Sequence, residues 1–167
     1  LTKLVSLNVE NCRGLLKDDA LKQICKKLPA LRSLHVLANQ IPPEHFGYLK
    51  KLEALETLKI SHTVPKVLTK EQMEALAALP NLKVLDLGNP ATGTDISPLY
   101  DGCKSLVDLG MAGHVASDEL LQEWATRLPN SVHTLRFTAG FPEGKPYRPT
   151  SVGEVPNGLT LYIQYNP

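Results

Sequence analysis

Apolar residues recur along this chain in one short, fixed figure. Six segments share the form apolar-x-x-Leu-x-apolar: LVSLNV from Leu4, LRSLHV from Leu31, LETLKI from Leu55, LKVLDL from Leu82, LVDLGM from Leu106 and VHTLRF from Val132. A seventh, GLTLYI, carries Leu161 and Ile163 in the same places. The second anchor falls at Leu7, Leu34, Leu58, Leu85, Leu109, Leu135 and Leu161, in steps of 27, 24, 27, 24, 26 and 26 residues. Alternation at the last three positions predicts a short strand. Its two apolar side chains share one face, and the residue between them points the other way.

Helical spacing fills the intervals. KDDALKQICKKL places Leu21, Ile24, Cys25 and Leu28 at i, i+3, i+4 and i+7. TKEQMEALAAL opens on a capping box, Thr69 with Gln72, and carries Met73, Leu76 and Leu79 on one stripe. SPLYDGC has Ser97 as a cap with Pro98 in the first turn. SDELLQEWATRL opens on Ser117 and aligns Leu120, Trp124 and Leu128, so Trp124 is expected as core filler. Pro29, Pro80 and Pro129 stop three of these helices just before the next strand. One strand and one helix per unit of about 25 residues predicts a solenoid in which each unit buries its apolar face on its neighbours.

These segments resemble the leucine-rich repeat family, whose pattern is Leu-x-x-Leu-x-Leu-x-x-Asn/Cys-x-Leu. LRSLHVLANQI matches every marked position, with Asn39 as the ladder residue, and LVSLNVENCRGL has Cys12 there. Thr63, Pro90, His114 and Gly140 depart from the pattern at that place. The resemblance implies an α/β leucine-rich repeat solenoid, a curved horseshoe with a parallel concave sheet and convex helices. Residues 1–167 would form a single domain of about six to seven repeats, with 138–167 an irregular C-terminal capping repeat. Seven strands at about 4.8 Å spacing make a sheet roughly 29 Å wide.

Composition alters this picture little. Hydrophobic content of 43% and charged content of 21% suit a soluble globular domain. A formal charge of +1 gives no reason to expect nucleic acid or an anionic membrane as partner. No apolar run approaches the roughly 20 residues that span a bilayer. Cys12, Cys25 and Cys103 are odd in number and lack a CxxC spacing, which argues against a disulfide framework and a zinc site. All three read as small buried hydrophobes or ladder donors. There is no Asn-x-Ser/Thr acceptor either, and the expectation is a cytoplasmic protein, with an extracellular place left open for a fragment.

Catalytic chemistry finds no foothold. His35, His45, His62, His114 and His133 fall in different repeats without HxxxH or HxH pairing. No nucleophile has an elbow or triad context. GFPEGKP from Gly140 has three residues between its glycines and Pro146 in place of Ser or Thr, so it is not a phosphate loop. The expectation is a chain that is not an enzyme and takes no metal or other cofactor.

The informative positions are those that alternate away from the core. The central row reads Asn8, His35, Lys59, Asp86, Gly110, Arg136 and Tyr162. The flanking rows bring Val84, Gly88 and Ala112, so small or apolar residues meet on a face that should be wet. Bordered by His35, Lys59, Asp86, Arg136 and Tyr162, this patch is the expected footprint of a protein or peptide partner. Two alternatives stand beside it. One is a substrate-recognition arm of a larger ubiquitin-ligase-type or effector protein, and the other is an assembly element that packs through its edges or helices.

The ends add two expectations. LTKLVSLNV opens in full pattern with nothing to cover the edge strand, which suggests further repeats upstream in a longer protein. Near the other end, FPEGKPYRPTSVGEVPNG has Pro142, Pro146, Pro149 and Pro156 and excludes a regular helix. It reads as a cap, with Phe141, Tyr147, Val152 and Val155 covering the exposed core end.

Overall fold

The strand segments take up the expected alternation, and their register follows the leucines. In this computed structural model residues 1–10, 12, 19–37, 41–61, 67–91, 93–111, 118–139 and 160–165 are described, with backbone alone at 118, 138, 139 and 162–165. The elements in chain order are β1 (Ser6–Asn8), α1 (Ala20–Lys27), β2 (Ser33–Leu37), a 3-10 helix (Pro43–Lys51), β3 (Thr57–Ser61), α2 (Lys70–Ala77), β4 (Val84–Asp86), α3 (Pro98–Gly102), β5 (Asp108–Met111), α4 (Asp118–Arg127), β6 (Thr134–Ala139) and β7 (Thr160–Tyr165). The strands form one seven-stranded parallel sheet in sequential order. Leu7, Leu34, Leu58, Leu85, Leu109, Leu135 and Leu161 pair in turn across it.

The same backbone step carries each strand onto the next. A carbonyl just before one strand accepts two consecutive N–H groups from the following one. Val5 accepts from Arg32 and Ser33, Arg32 from Glu56 and Thr57, Glu56 from Lys83 and Val84, Lys83 from Val107 and Asp108, and Val107 from His133 and Thr134. Each bond satisfies a main-chain group that burial would otherwise leave costly.

All the apolar stripes converge on one side of this sheet. The core joins Leu34, Leu58, Leu85, Leu109 and Leu135 of the strands to Leu21, Phe46, Leu76, Leu99 and Trp124 of the helices. Leu4, Leu7 and Leu161 at the two edges are only partly buried, since each lacks a neighbour on one side. Trp124 meets Phe137 edge-on at 6.3 Å between ring centres, a favourable aromatic geometry.

Local sequence accounts for most helix boundaries. The α2 capping box forms in both directions: the Gln72 N–H donates to the Thr69 hydroxyl at 3.3 Å, and the Thr69 N–H to the Gln72 side-chain carbonyl at 2.9 Å. Leu28, Leu52 and Cys103 end three helices as buried C-caps, so Cys103 does take a leucine's place. Two expectations need correction. Ser97 makes no side-chain cap for α3; its N–H instead donates to Asp95 at 2.9 Å. Cys12 is exposed, while Cys25 and Cys103 are buried.

Asn39, Thr63, His62, His114, Ser117 and the whole of 140–158 lie outside the described residues, and with them the proline-rich cap and every ladder position except Cys12 and Pro90. Among the described residues no helix is long and apolar enough to cross a membrane.

Candidate functional site: the open face of the sheet

With the helices gathered on one side, the alternate side chains of the strands form an uncovered face. His35, Lys59, Asp86, Gly110, Arg136 and Tyr162 are consecutive register partners, so the five expected site residues stand in one row. His35, Lys59, Asp86 and Arg136 are half-buried; of Tyr162 the strand position is described and the side chain is not.

At the C-terminal half of this row three strands are tied together. Arg136 Nε donates to Asp108 Oδ1 at 2.9 Å, one strand away. Its Nη1 lies 3.6 Å from Asp86 Oδ2, two strands away. The other Asp86 oxygen, Oδ1, accepts the Gly88 N–H at 2.9 Å, which fixes the carboxylate from below. Between the partners lies Gly110. A β-carbon there would stand 2.9 Å from Asp86 Cγ, 3.0 Å from Asp86 Oδ1 and 3.2 Å from Arg136 Nη2. The space over Gly110 is therefore occupied by charged side chains. The expected small, weakly polar surface at this point is filled by Arg136 and Asp86 instead.

A second bridge spans the N-terminal half. The Ser61 hydroxyl on β3 donates to the Glu10 carboxylate beyond β1, and Glu10's own N–H donates to Asn8 Oδ1 at 3.0 Å. Leu37, the register partner of Ser61 on the intervening strand, is buried at 7% exposure although it belongs to the open face. Lys59 makes no ion pair among the described residues, and two of its register neighbours, His35 and Asp86, flank it.

Along the entry side of the strands a third set of charges aligns. Glu56 takes Arg32 at 3.0 Å and Lys83 at 3.3 Å. The two cations are exposed and Glu56 is half-buried, so each pair contributes about 0–1 kcal/mol. Their effect is on surface charge pattern more than on stability.

Asp108 stands in a flanking row, opposite Val84, and is not among the residues expected at the site. Its diagonal offset from Arg136, one strand over and one row across, is the signal that could have linked them. No group of three or more His, Cys, Asp or Glu among the described residues could hold a metal ion. The thiols of Cys25 and Cys103 are pushed up by burial, to about 12 and about 11, which leaves them protonated and unreactive at neutral pH.

The chain matches no protein-family model and no curated protein. What it can do has to be read from the geometry.

Two hollows lie away from the open face. One, of about 600 Å³, is lined by Leu1, Ile24, Leu28 and Pro29 with the stems of Lys26 and Lys27, on the outer side of α1. The other, of about 470 Å³, runs between α2 and α3, with Lys70, Glu74, Asp101 and Gly102 on its walls. On the helical side Tyr100 donates to Glu123 at 3.2 Å beneath the Arg127 guanidinium, 4.7 Å above its ring. Burial first, and then the Glu123 charge, push that phenol up to about 12. This cluster joins α3 to α4.

Proposed function

We propose that the chain is a leucine-rich repeat solenoid, a horseshoe whose concave sheet binds a protein or peptide partner. The recurring backbone step supports the solenoid: one carbonyl accepting two N–H groups, repeated from strand to strand with the leucines in register. The face left bare by the helices supports the binding role. Its central row carries ionic and imidazole side chains at strand spacing, about 4.8 Å apart. A rigid sheet presenting polar groups at a fixed interval suits recognition of an extended segment or a small convex domain. The activity is binding, with any chemistry supplied by another domain, as in a recognition arm of a larger protein.

The observation that carries this reading is the uncovered row His35–Lys59–Asp86–Arg136. A photo-crosslinking side chain placed at position 59 or 35 should capture partner, and one at Lys26 on α1 should not. Capture from position 26 with none from 35 or 59 would move the binding face to the helices.

One observation favours a second reading, assembly through an edge. Val5, just before the edge strand β1, is 53% exposed, and an apolar hollow opens at Leu1 and Ile24. The Val5 and Ser6 N–H groups correspond to those that Arg32 and Ser33 donate to the preceding strand. A further strand–helix unit seated there should slow amide exchange at Val5 and Ser6; fast exchange in the assembled protein counts against it.

A further inference from the structure

What a partner brings to the open face follows from which polar groups there already have partners, and this step rests on the open-face reading above. We infer that Ser33, His35, Thr57 and Lys59 form the seat for an Asp or Glu side-chain carboxylate of the partner.

The described carboxylates of this face are each engaged within the protein. Asp86 turns Oδ2 to Arg136 Nη1 at 3.6 Å, and its Oδ1 accepts the Gly88 N–H at 2.9 Å. Asp108 Oδ1 accepts from Arg136 Nε at 2.9 Å, and Glu10 accepts from the Ser61 hydroxyl. On β2 and β3 the situation is reversed. The side chains of Ser33, His35, Thr57 and Lys59 have no hydrogen-bond or ion-pair partner among the described residues.

Register fixes where these four stand. Ser33 pairs with Thr57, and His35 with Lys59. Residues two apart on a strand share a face, so the four mark the corners of a block about 4.8 Å across the strands and about 6.6 Å along them. All four are half-buried, and a partner seated on the sheet would remove the water they still reach.

The cost of covering them selects the occupant. An apolar side chain laid over the block would leave these groups without hydrogen bonds, which is unfavourable. Lys59 offers three N–H donors and no acceptor, and each hydroxyl and the imidazole offers at least one donor more. The matching group is one that only accepts, a carboxylate. A partner lysine or arginine would bring only donors to an ammonium that has no counter-ion. Net charge does not make this selection, since Lys59 and Arg136 offset Asp86 and Asp108. Pairing makes it: Arg136 engages both aspartates and Glu10 is bonded to Ser61, so among the described ionic groups of the face Lys59 is left over. One ammonium balances one carboxylate, whereas a doubly charged phosphate would add uncompensated charge beside Asp86.

The test is selection of random peptides on the intact chain, followed by affinity measurement with synthetic C-terminal amides, so that only side-chain carboxylates count. Peptides captured by a photo-crosslinking side chain at position 84, the register neighbour of Thr57, define the open-face set. Within that set the inference expects an Asp or Glu in common. It also expects affinity to fall about fivefold or more on Lys59→Met, which keeps the length of the side chain and loses its charge. Changing the peptide's acid to its amide should cause a similar loss and abolish the sensitivity to Lys59→Met, as coupled groups do in a double-mutant cycle. Open-face binders that lack an acid, or are indifferent to Lys59→Met, overturn the seat while leaving the face intact. So do binders that depend on a Lys or Arg, which would assign the aspartates as the contact. Failure to capture any peptide at position 84 overturns both this inference and the reading beneath it. Matching denaturation midpoints for Lys59→Met and the native protein keep a folding defect from passing as a result.

Discussion

Arg136 reaches Asp86 across two strands, with Nη1 3.6 Å from Oδ2, and only a glycine between them permits it. Replacing Gly110 by alanine should push the pair apart at a cost of about 1–3 kcal/mol, the usual range for added volume in a filled space. In an Arg136→Ala background the same replacement should cost less, because one of the two obstructing side chains is gone. Asp86 still stands 2.9 Å from the added carbon, so the cost does not vanish. A double-mutant cycle by chemical denaturation checks this, and full additivity would disprove the steric link.

Gly88 should be the less tolerant glycine. Its φ of 61° lies in the left-handed region, and a β-carbon there would run into the Ile60 carbonyl of the neighbouring strand. Backbone cannot swing away as the Arg136 side chain can. Gly88→Ala should therefore destabilise more than Gly110→Ala, with about 1–2 kcal/mol from conformation alone. Equal unfolding free energies for the two variants would contradict this order.

Asp95 supplies a pH-dependent contribution of known sign. The Ser97 backbone N–H, and then its side chain, hold the Asp95 carboxyl below the ordinary aspartate value. The unfolded chain then binds its proton at higher pH than the folded one does. The stabilisation is fully present above the ordinary aspartate range and disappears as pH falls through the lowered folded value. Unfolding midpoints recorded between about pH 2 and 6 should show a shallower acid limb for Asp95→Asn than for the native chain. Superimposable slopes would remove Asp95 from the account.

The cysteines should separate cleanly by reactivity. Cys12 is exposed, whereas burial lifts Cys25 to about 12 and Cys103 to about 11. Native protein treated with a thiol reagent near neutral pH should carry one adduct, at Cys12, and three after denaturation. Mass spectrometry of the peptides decides it, and native labelling at Cys103 would show that the α3 cap opens.

The leucine spacing was enough to specify much of the fold. Each Leu34–Leu58–Leu85 step needs only the alternation of a strand and a helix stripe of matching length, and both are local patterns. Pro29, Pro80 and Pro129 mark the ends of three helices because a proline cannot continue the backbone bonding. The Thr69–Gln72 box was legible for the same reason, since its partners are three residues apart. The Ser97 hydroxyl does not cap α3, and its N–H meets Asp95 two residues earlier, an arrangement set by local geometry rather than by residue type. Cys12 is exposed, since a pattern position does not state what covers it.

The candidate site divides in the same way. That His35, Lys59, Asp86, Arg136 and Tyr162 share one row follows from period-two alternation and a common register, both written in the chain. That Asp108 joins Arg136, that Gly110 is roofed by charged groups, and that Glu10 meets Ser61 above Leu37 were decided only by the assembled sheet. These contacts run between residues 24 to 51 positions apart. Periodicity sets which face a side chain takes, because that depends on the backbone beneath it. Which neighbour it meets depends on side-chain reach across strands about 4.8 Å apart, and that distance exists only once the strands have paired.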